Sequence, residues 1–164
     1  MRNDPLASPE PVIRRVYAYV AYRIGAGPDA DDVTAEAIAR AVQYRESFDP
    51  AKGEPVTWAI GIARRCIDDW LSRPTEAHDP PDVAAPGELE REAVNRLTVR
   101  AAVLELSQRD RELLALRYGA DLSARQIATE LGMTTNAVDV ALHRALERLR
   151  NVLTEQAGDP GTGT

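Results

Sequence analysis

SARQIATELGMTTNAVDVALHRALERL, residues 123–149, reads as two helices on either side of a tight turn. Ser123 precedes an apolar-periodic run and has Gln126 three residues on, the two ends of a capping box. Ile127, Ala128 and Leu131 fall on one helical face. Gly132 stands where the first helix must end, because a backbone with positive φ suits a residue without Cβ. Thr134 can cap the second helix, which buries Val138, Ala141 or Leu142, and Leu146 at spacings of three and four. The small Ala128 lets that helix cross closely, and the short turn fits a helix-turn-helix. In such a unit the second helix enters the major groove of DNA. An ordinary αα-hairpin is the other reading of this stretch.

Outward from this stretch the helical pattern continues. Ser107 and Asp110 mark a helix N-terminus for residues 111–118, and Leu89, Leu97, Ala101 and Leu104 hold one face of an earlier helix. Residues 154–164, ending GDPGTGT, read as a disordered tail. Residues 74–88 (PTEAHDPPDVAAPGE) hold four prolines, one glycine and no apolar period, and read as a linker.

Before the linker, residues 12–24 form a helix with Val12, Val16 and Val20 on its apolar face, flanked by Ile13, Tyr17 and Ile24. Gly25, Gly27 and Pro28 stop it. Asp29 or Asp31 can cap the next helix, which runs to about Arg45 and buries Val33, Ala37, Ile38, Ala41 and Val42. Asp32 and Glu36 lie four apart on its exposed side, either a solvated acidic face or a docking surface for a basic helix. Residues 48–54 (FDPAKGE) are a turn-rich loop. Pro55 then opens a helix to about Ser72 with Ala59, Ile62, Ala63, Cys66, Ile67 and Trp70 as its core face. Arg64 and Arg65 project off that face, and Trp58 lies beside the loop. Basic and aromatic residues next to a turn suit single-stranded nucleic acid, where bases stack and phosphates pair with Arg. Packing of both Trp residues in the core is the alternative.

The fold class is therefore all-α: two small helical domains joined by an acidic, Pro-rich linker, the C-terminal one a helix-turn-helix. The net charge of −6 divides unevenly. Residues 1–73 carry ten Lys/Arg and eleven Asp/Glu, residues 74–92 one and six, and residues 93–164 nine and nine. The acidity thus sits in the middle, and the chain should bind duplex DNA weakly alone, because non-specific affinity scales with phosphates neutralised. One cysteine, Cys66, excludes an internal disulfide and a Cys-cluster metal site. No run reaches the ~18–20 apolar residues of a membrane span, and MRNDPLASPEP lacks the blocks of a signal peptide. Two scattered His and no Gly-rich loop offer no catalytic constellation. No enzyme, no cofactor, no membrane insertion and a cytoplasmic location are the expectations.

Three motifs in order resemble the extracytoplasmic-function (ECF, group 4) sigma factors of bacterial RNA polymerase. DADDVTAEAIARA (29–41) is similar to the family's acidic second-region helix. WAIGIARRCIDDWLSR (58–73) resembles the tryptophan-led helix of the promoter-melting region, WLxxIARNxxxDxxR. LSQRDRELLALRYGADLSARQIATELGMTTNAVDVALHRALERLR (106–150) matches the final region almost without gaps. The resemblance implies region 2 over residues 10–73, a linker over 74–88, region 4 over 89–153, and a dissociable promoter-specificity subunit. Asp29, Asp32 and Glu36 would then dock on the β′ clamp of core polymerase, and region 4 on the β flap. Phe48, Lys52, Trp58, Arg64 and Arg65 would hold the opened −10 element. Arg125, Thr135, Asn136, Asp139, Val140, His143 and Arg144 would read the −35 element. An anti-sigma factor is a further candidate partner. Fifteen linker residues can span up to roughly 50 Å, matching fifteen base pairs at ~3.4 Å each.

The sequence departs from the pattern in places. Arg65 stands where the family often has Asn, and Asp139 and Ala141 where it often has Lys and Arg. Asp139 beside a phosphate would cost affinity. A sigma-like or helix-turn-helix regulator that binds polymerase or DNA without promoting initiation is therefore the alternative function.

Overall fold

The computed structural model describes residues 3–74 and 91–158, with residues 91–97 as backbone alone. Every regular element among them is helical: α1 (Pro9–Ile24), α2 (Pro28–Gln43), α3 (Pro55–Leu71), α4 (Arg91–Leu104), α5 (Gln108–Leu114), α6 (Ala124–Leu131) and α7 (Thr135–Ala157). A 3-10 turn at Arg45–Ser47 follows α2, and a π turn at Ala115–Gly119 extends α5. Residues 75–88 of the expected linker, Leu89, the Leu97 side chain and residues 159–164 lie outside what is described.

Prolines open each of the first three helices. Pro9, Pro28 and Pro55 sit at the first helical position, where a missing N–H costs nothing because that donor has no intrahelical acceptor. This corrects the expected cap of α2: Gly27, at φ 140°, is the N-cap, and Asp29 and Asp31 lie in the first turn, where carboxylates favour the helix dipole. Val42, expected inside, is 48% exposed because α2 ends one residue later. Ile13 is also exposed. On α4, Ala102 and Val103 are buried and Ala101 is exposed, so its inward face is rotated from the expected one. α5 begins at Gln108 rather than Arg111, with the Ser107 hydroxyl accepting from the Asp110 amide. At the other end α7 runs on to Ala157, so residues 154–157 are helical and not part of a disordered tail.

α1 lies between the two halves. Its residues Val12, Val16, Tyr19 and Val20 join a single core that reaches from α2 and α3 to Leu113, Leu116, Leu122, Ile127, Val138 and Leu142. The halves that the linker separates in sequence are thus packed together. A second cluster of Val103, Leu106, Leu114 and Ala145 closes α4 and α5 onto α7. Two devices bring α1 close to the second half. A Cβ on Gly119 would stand 2.9 Å from the backbone N and Cα of Tyr19, so glycine alone permits the approach. Arg15 reaches across to donate to the carbonyls of Ala120 (2.7 Å) and Asp121 (3.0 Å) just past the π turn.

Candidate nucleic-acid interface

The helix-turn-helix is built by its caps. Ser123 N donates to Gln126 Oε1 at 2.9 Å and Gln126 N to Ser123 Oγ at 3.1 Å, closing the capping box. Gly132 takes φ 65° and ψ 35°, ending α6, and Met133 N donates to Ala128 O at 2.9 Å. Thr134 Oγ1 then accepts from Ala137 N at 3.1 Å to start α7. Val138, Leu142 and Ala145 turn inward. On the outer face Thr135, Asn136, Asp139, Val140, His143 and Arg144 are all exposed, and Arg125 of α6 is exposed as well. His143 Nε2 meets Glu147 Oε1 at 3.3 Å, one turn on. Arg125 and Arg144 are therefore set against Asp139 and Glu147, which leaves this face without a basic excess. Behind it, Arg148 forms a bidentate pair with Asp110 at 2.6 and 2.9 Å and fixes α7 to α5. That guanidinium holds the Asp110 carboxyl below its usual value.

The candidate −10 residues are divided. Lys52 and Arg65 are exposed, while Phe48 and Trp58 are half-buried. Their rings meet edge to face, with centroids 5.5 Å apart at 63°, which pins the loop to the start of α3. Trp58 and Trp70 both pack partly against the core. Arg64 departs from the expected outward position. Its Nε lies 2.9 Å from Glu112 Oε1 and its Nη1 3.2 Å from Glu130 Oε1, both carboxylates of the second half. The physical reason is the packing of α3 against α6, which brings Glu130 beside Gly61 and Arg64 at the edge of the core face of α3.

Glu112 is the centre of this junction. It is buried and accepts from the Tyr19 hydroxyl at 2.8 Å, from Arg23 Nη1 and from Arg64. Burial pushes the Tyr19 phenol up, so it stays a neutral donor. Charges removed from water need partners of this kind, since an unpaired buried carboxylate costs several kcal/mol. None of Tyr19, Arg23, Glu112 and Glu130 is prominent in a local reading. The available signal was Arg23, a cation four residues after Tyr19 on the inward side of α1. Glu112 likewise is a buried charge directly before a run that buries Leu113, Leu114, Ala115 and Leu116.

On α2, Asp32 is exposed and Asp29 half-buried. Glu36 pairs with Arg40 at 2.6 Å, and Arg40 also reaches Asp69 of α3 at 3.3 Å. Among the described residues no cluster of His, Cys, Asp or Glu could hold a metal ion, and no helix is long and apolar enough to cross a membrane.

Residues 10–75 match the family described as Sigma-70 region 2, and residues 96–149 that described as Sigma-70, region 4. Similar proteins include the ECF RNA polymerase sigma factor SigD of Mycobacterium tuberculosis, 32% identical over 96% of this chain and 78% of its own. SigL of the same species is 28% identical over 85% of this chain and 83% of its own. Among solved structures, the sigma factor RpoE of Bartonella quintana, in complex with the anti-sigma factor NepR, superposes with a TM-score of 0.66 at 17% identity. That superposition covers 87% of this chain and 92% of the other.

Proposed function

The chain belongs to the extracytoplasmic-function sigma factors of bacterial RNA polymerase, and from that premise we propose which of its surfaces do what. As a sigma factor it directs transcription initiation with core RNA polymerase at promoter DNA. Within it, residues 10–73 act as the −10 and docking half and residues 89–153 as the −35 half. The observation that carries this division is the outer face of α7: Thr135, Asn136, Asp139, Val140, His143 and Arg144 all face solvent while the inner face holds the core. Arg125 lies beside them on α6. An α-helix presented in this way fits the major groove, where side-chain donors and acceptors distinguish base pairs.

Asp29, Asp32 and Glu36 dock on the β′ clamp through charge, which steers and orients more than it adds affinity. Region 4 meets the β flap. Phe48, Lys52, Trp58, Arg64 and Arg65 hold the opened −10 strand, the aromatics by stacking and the cations by pairing with phosphate. The likeness to a sigma factor solved with its anti-sigma factor supports an anti-sigma protein as a further partner. The chain works in the cytoplasm, and the chemistry of transcription belongs to polymerase.

The test is run-off transcription with core polymerase over a promoter library. A discrete promoter class with −10 and −35 elements is expected. Asp32→Lys with Glu36→Lys should weaken assembly with core polymerase; unchanged assembly would remove the docking role. Arg64→Ala with Arg65→Ala should reduce open-complex formation in the assembled holoenzyme. Normal melting by that variant would place the −10 surface elsewhere.

A further inference from the structure

Of the six residues assigned to the outer face of α7, five carry a group that donates or accepts a hydrogen bond, and Val140 carries none. Val140 is 42% exposed, and of the large apolar side chains exposed among the described residues it is the one on α7. Its direction is fixed by the helix, since Val138 and Leu142, two positions to either side, are buried. Asn136 stands one turn before Val140 and Arg144 one turn after, so the three form a single stripe along α7. Ala137 and Ala141 beside it are half-buried and too short to cover it. α7 begins at Thr135 behind the Thr134 cap. At 1.5 Å per residue Val140 lies roughly 7.5 Å from that start, within the N-terminal turns that a helix-turn-helix lays against base edges.

Chemistry narrows what Val140 can meet in the groove. A phosphate needs a donor, and the polar edges of the bases need a donor or an acceptor; an isopropyl group offers neither. The major groove presents one apolar feature, the C5 methyl group of thymine. We propose that Val140 reads a thymine of the −35 element through that methyl group, so that the promoters this chain selects carry an A·T pair, its thymine toward Val140, opposite the second turn of α7. This rests on the reading of α7 as the −35 helix. The contact takes the valine and the methyl group out of water together, and it adds base preference without adding to the salt dependence. That suits this face, where Asp139 and Glu147 stand against Arg125 and Arg144 and leave no basic excess.

The test is binding of the assembled holoenzyme to a promoter that it has selected from a library. Each thymine of the −35 element is replaced in turn by deoxyuridine, which deletes the methyl group and keeps the base pair. One replacement should weaken binding by about fourfold, the worth of one methyl group removed from water. Val140→Ala should bind the thymine and uracil forms of that promoter alike. Val140→Thr, which keeps a methyl group at the branch, should still tell them apart. The side chain is exposed, so neither change disturbs the core. No sensitive thymine, or one whose replacement weakens native and Val140→Ala holoenzyme equally, overturns the proposal. A Val140→Ala chain that assembles poorly with core polymerase also overturns it, since Val140 then faces protein. The underlying reading fails separately: Asn136→Ala and Arg144→Ala that leave −35 selectivity intact take α7 out of the groove. Altered selectivity in those variants, together with no sensitive thymine, keeps the reading and ends the proposal.

Discussion

The two DNA surfaces assigned to this chain sit on helices of the same kind, yet one is free and the other is engaged. On α7 the outer residues meet solvent, and among the described residues the ion pair on that face joins neighbours on the same helix, His143 and Glu147. On α3 the corresponding basic residue, Arg64, is held by carboxylates from the other half. A helix supported from one side keeps its outer face available, whereas α3 lies between two packing partners, α1 and α2 behind it and α6 in front. Exposure of a recognition surface is therefore set by what packs on the helix, not by its sequence pattern alone.

The largest effect tests whether the halves are one cooperative unit. Ile127 is fully buried in the shared core behind the free surface. Ile127→Ala should cost about 2–5 kcal/mol, and chemical denaturation should show both halves lost in one transition. A surviving transition for the first half would mean that the comparison is between two independent domains.

Next in size is Tyr19→Phe, which removes one donor from buried Glu112 and leaves the packing in place. A cost of about 1–3 kcal/mol is expected in the same denaturation experiment. No loss would indicate that Glu112 is hydrated in solution and that the engaged surface is less engaged than its geometry implies.

On the free surface, Asp139→Asn separates two uses of an outward carboxylate. If it repels phosphate, the holoenzyme should bind all promoters more tightly and with a changed salt slope, which is the outcome expected here. If it accepts from cytosine, selectivity should relax at one base position by about 1–3 kcal/mol. Neither change would remove Asp139 from the DNA-facing set.

The smallest effect concerns the support behind α7. Arg148 lowers the Asp110 carboxyl below its ordinary 3.8. Its contribution is therefore complete above that pH and is lost as pH falls through the lowered folded value. Stability curves of the native chain and Asp110→Asn should differ at neutral pH and converge in strong acid; parallel curves would show that the pair contributes nothing to holding α7.

Much of this was legible in the sequence where the determinants are local. The capping box at Ser123 and Gln126, the positive φ of Gly132 and the Thr134 cap each depend on residues within four positions of one another. The inward face of α7 follows from the same periodicity. The position of Arg64 does not, because its partners lie far along the chain and across a packing of α3 on α6 that no period encodes. Gly119 is similar: its need for glycine comes from Tyr19 on another helix, not from its own backbone. The cap of α2 was misplaced for a local reason, since Pro28 at the first helical position outranks the acids after it.

The halves share one core in the free chain, and engagement of both promoter elements should part them. Energy transfer between fluorophores placed at the exposed positions Lys52 and Glu147 measures this directly in the free chain and in the open complex. A short separation in the free chain, rising by a large part of the roughly 50 Å that fifteen base pairs span, is the predicted result. The same short separation in both states would contradict it.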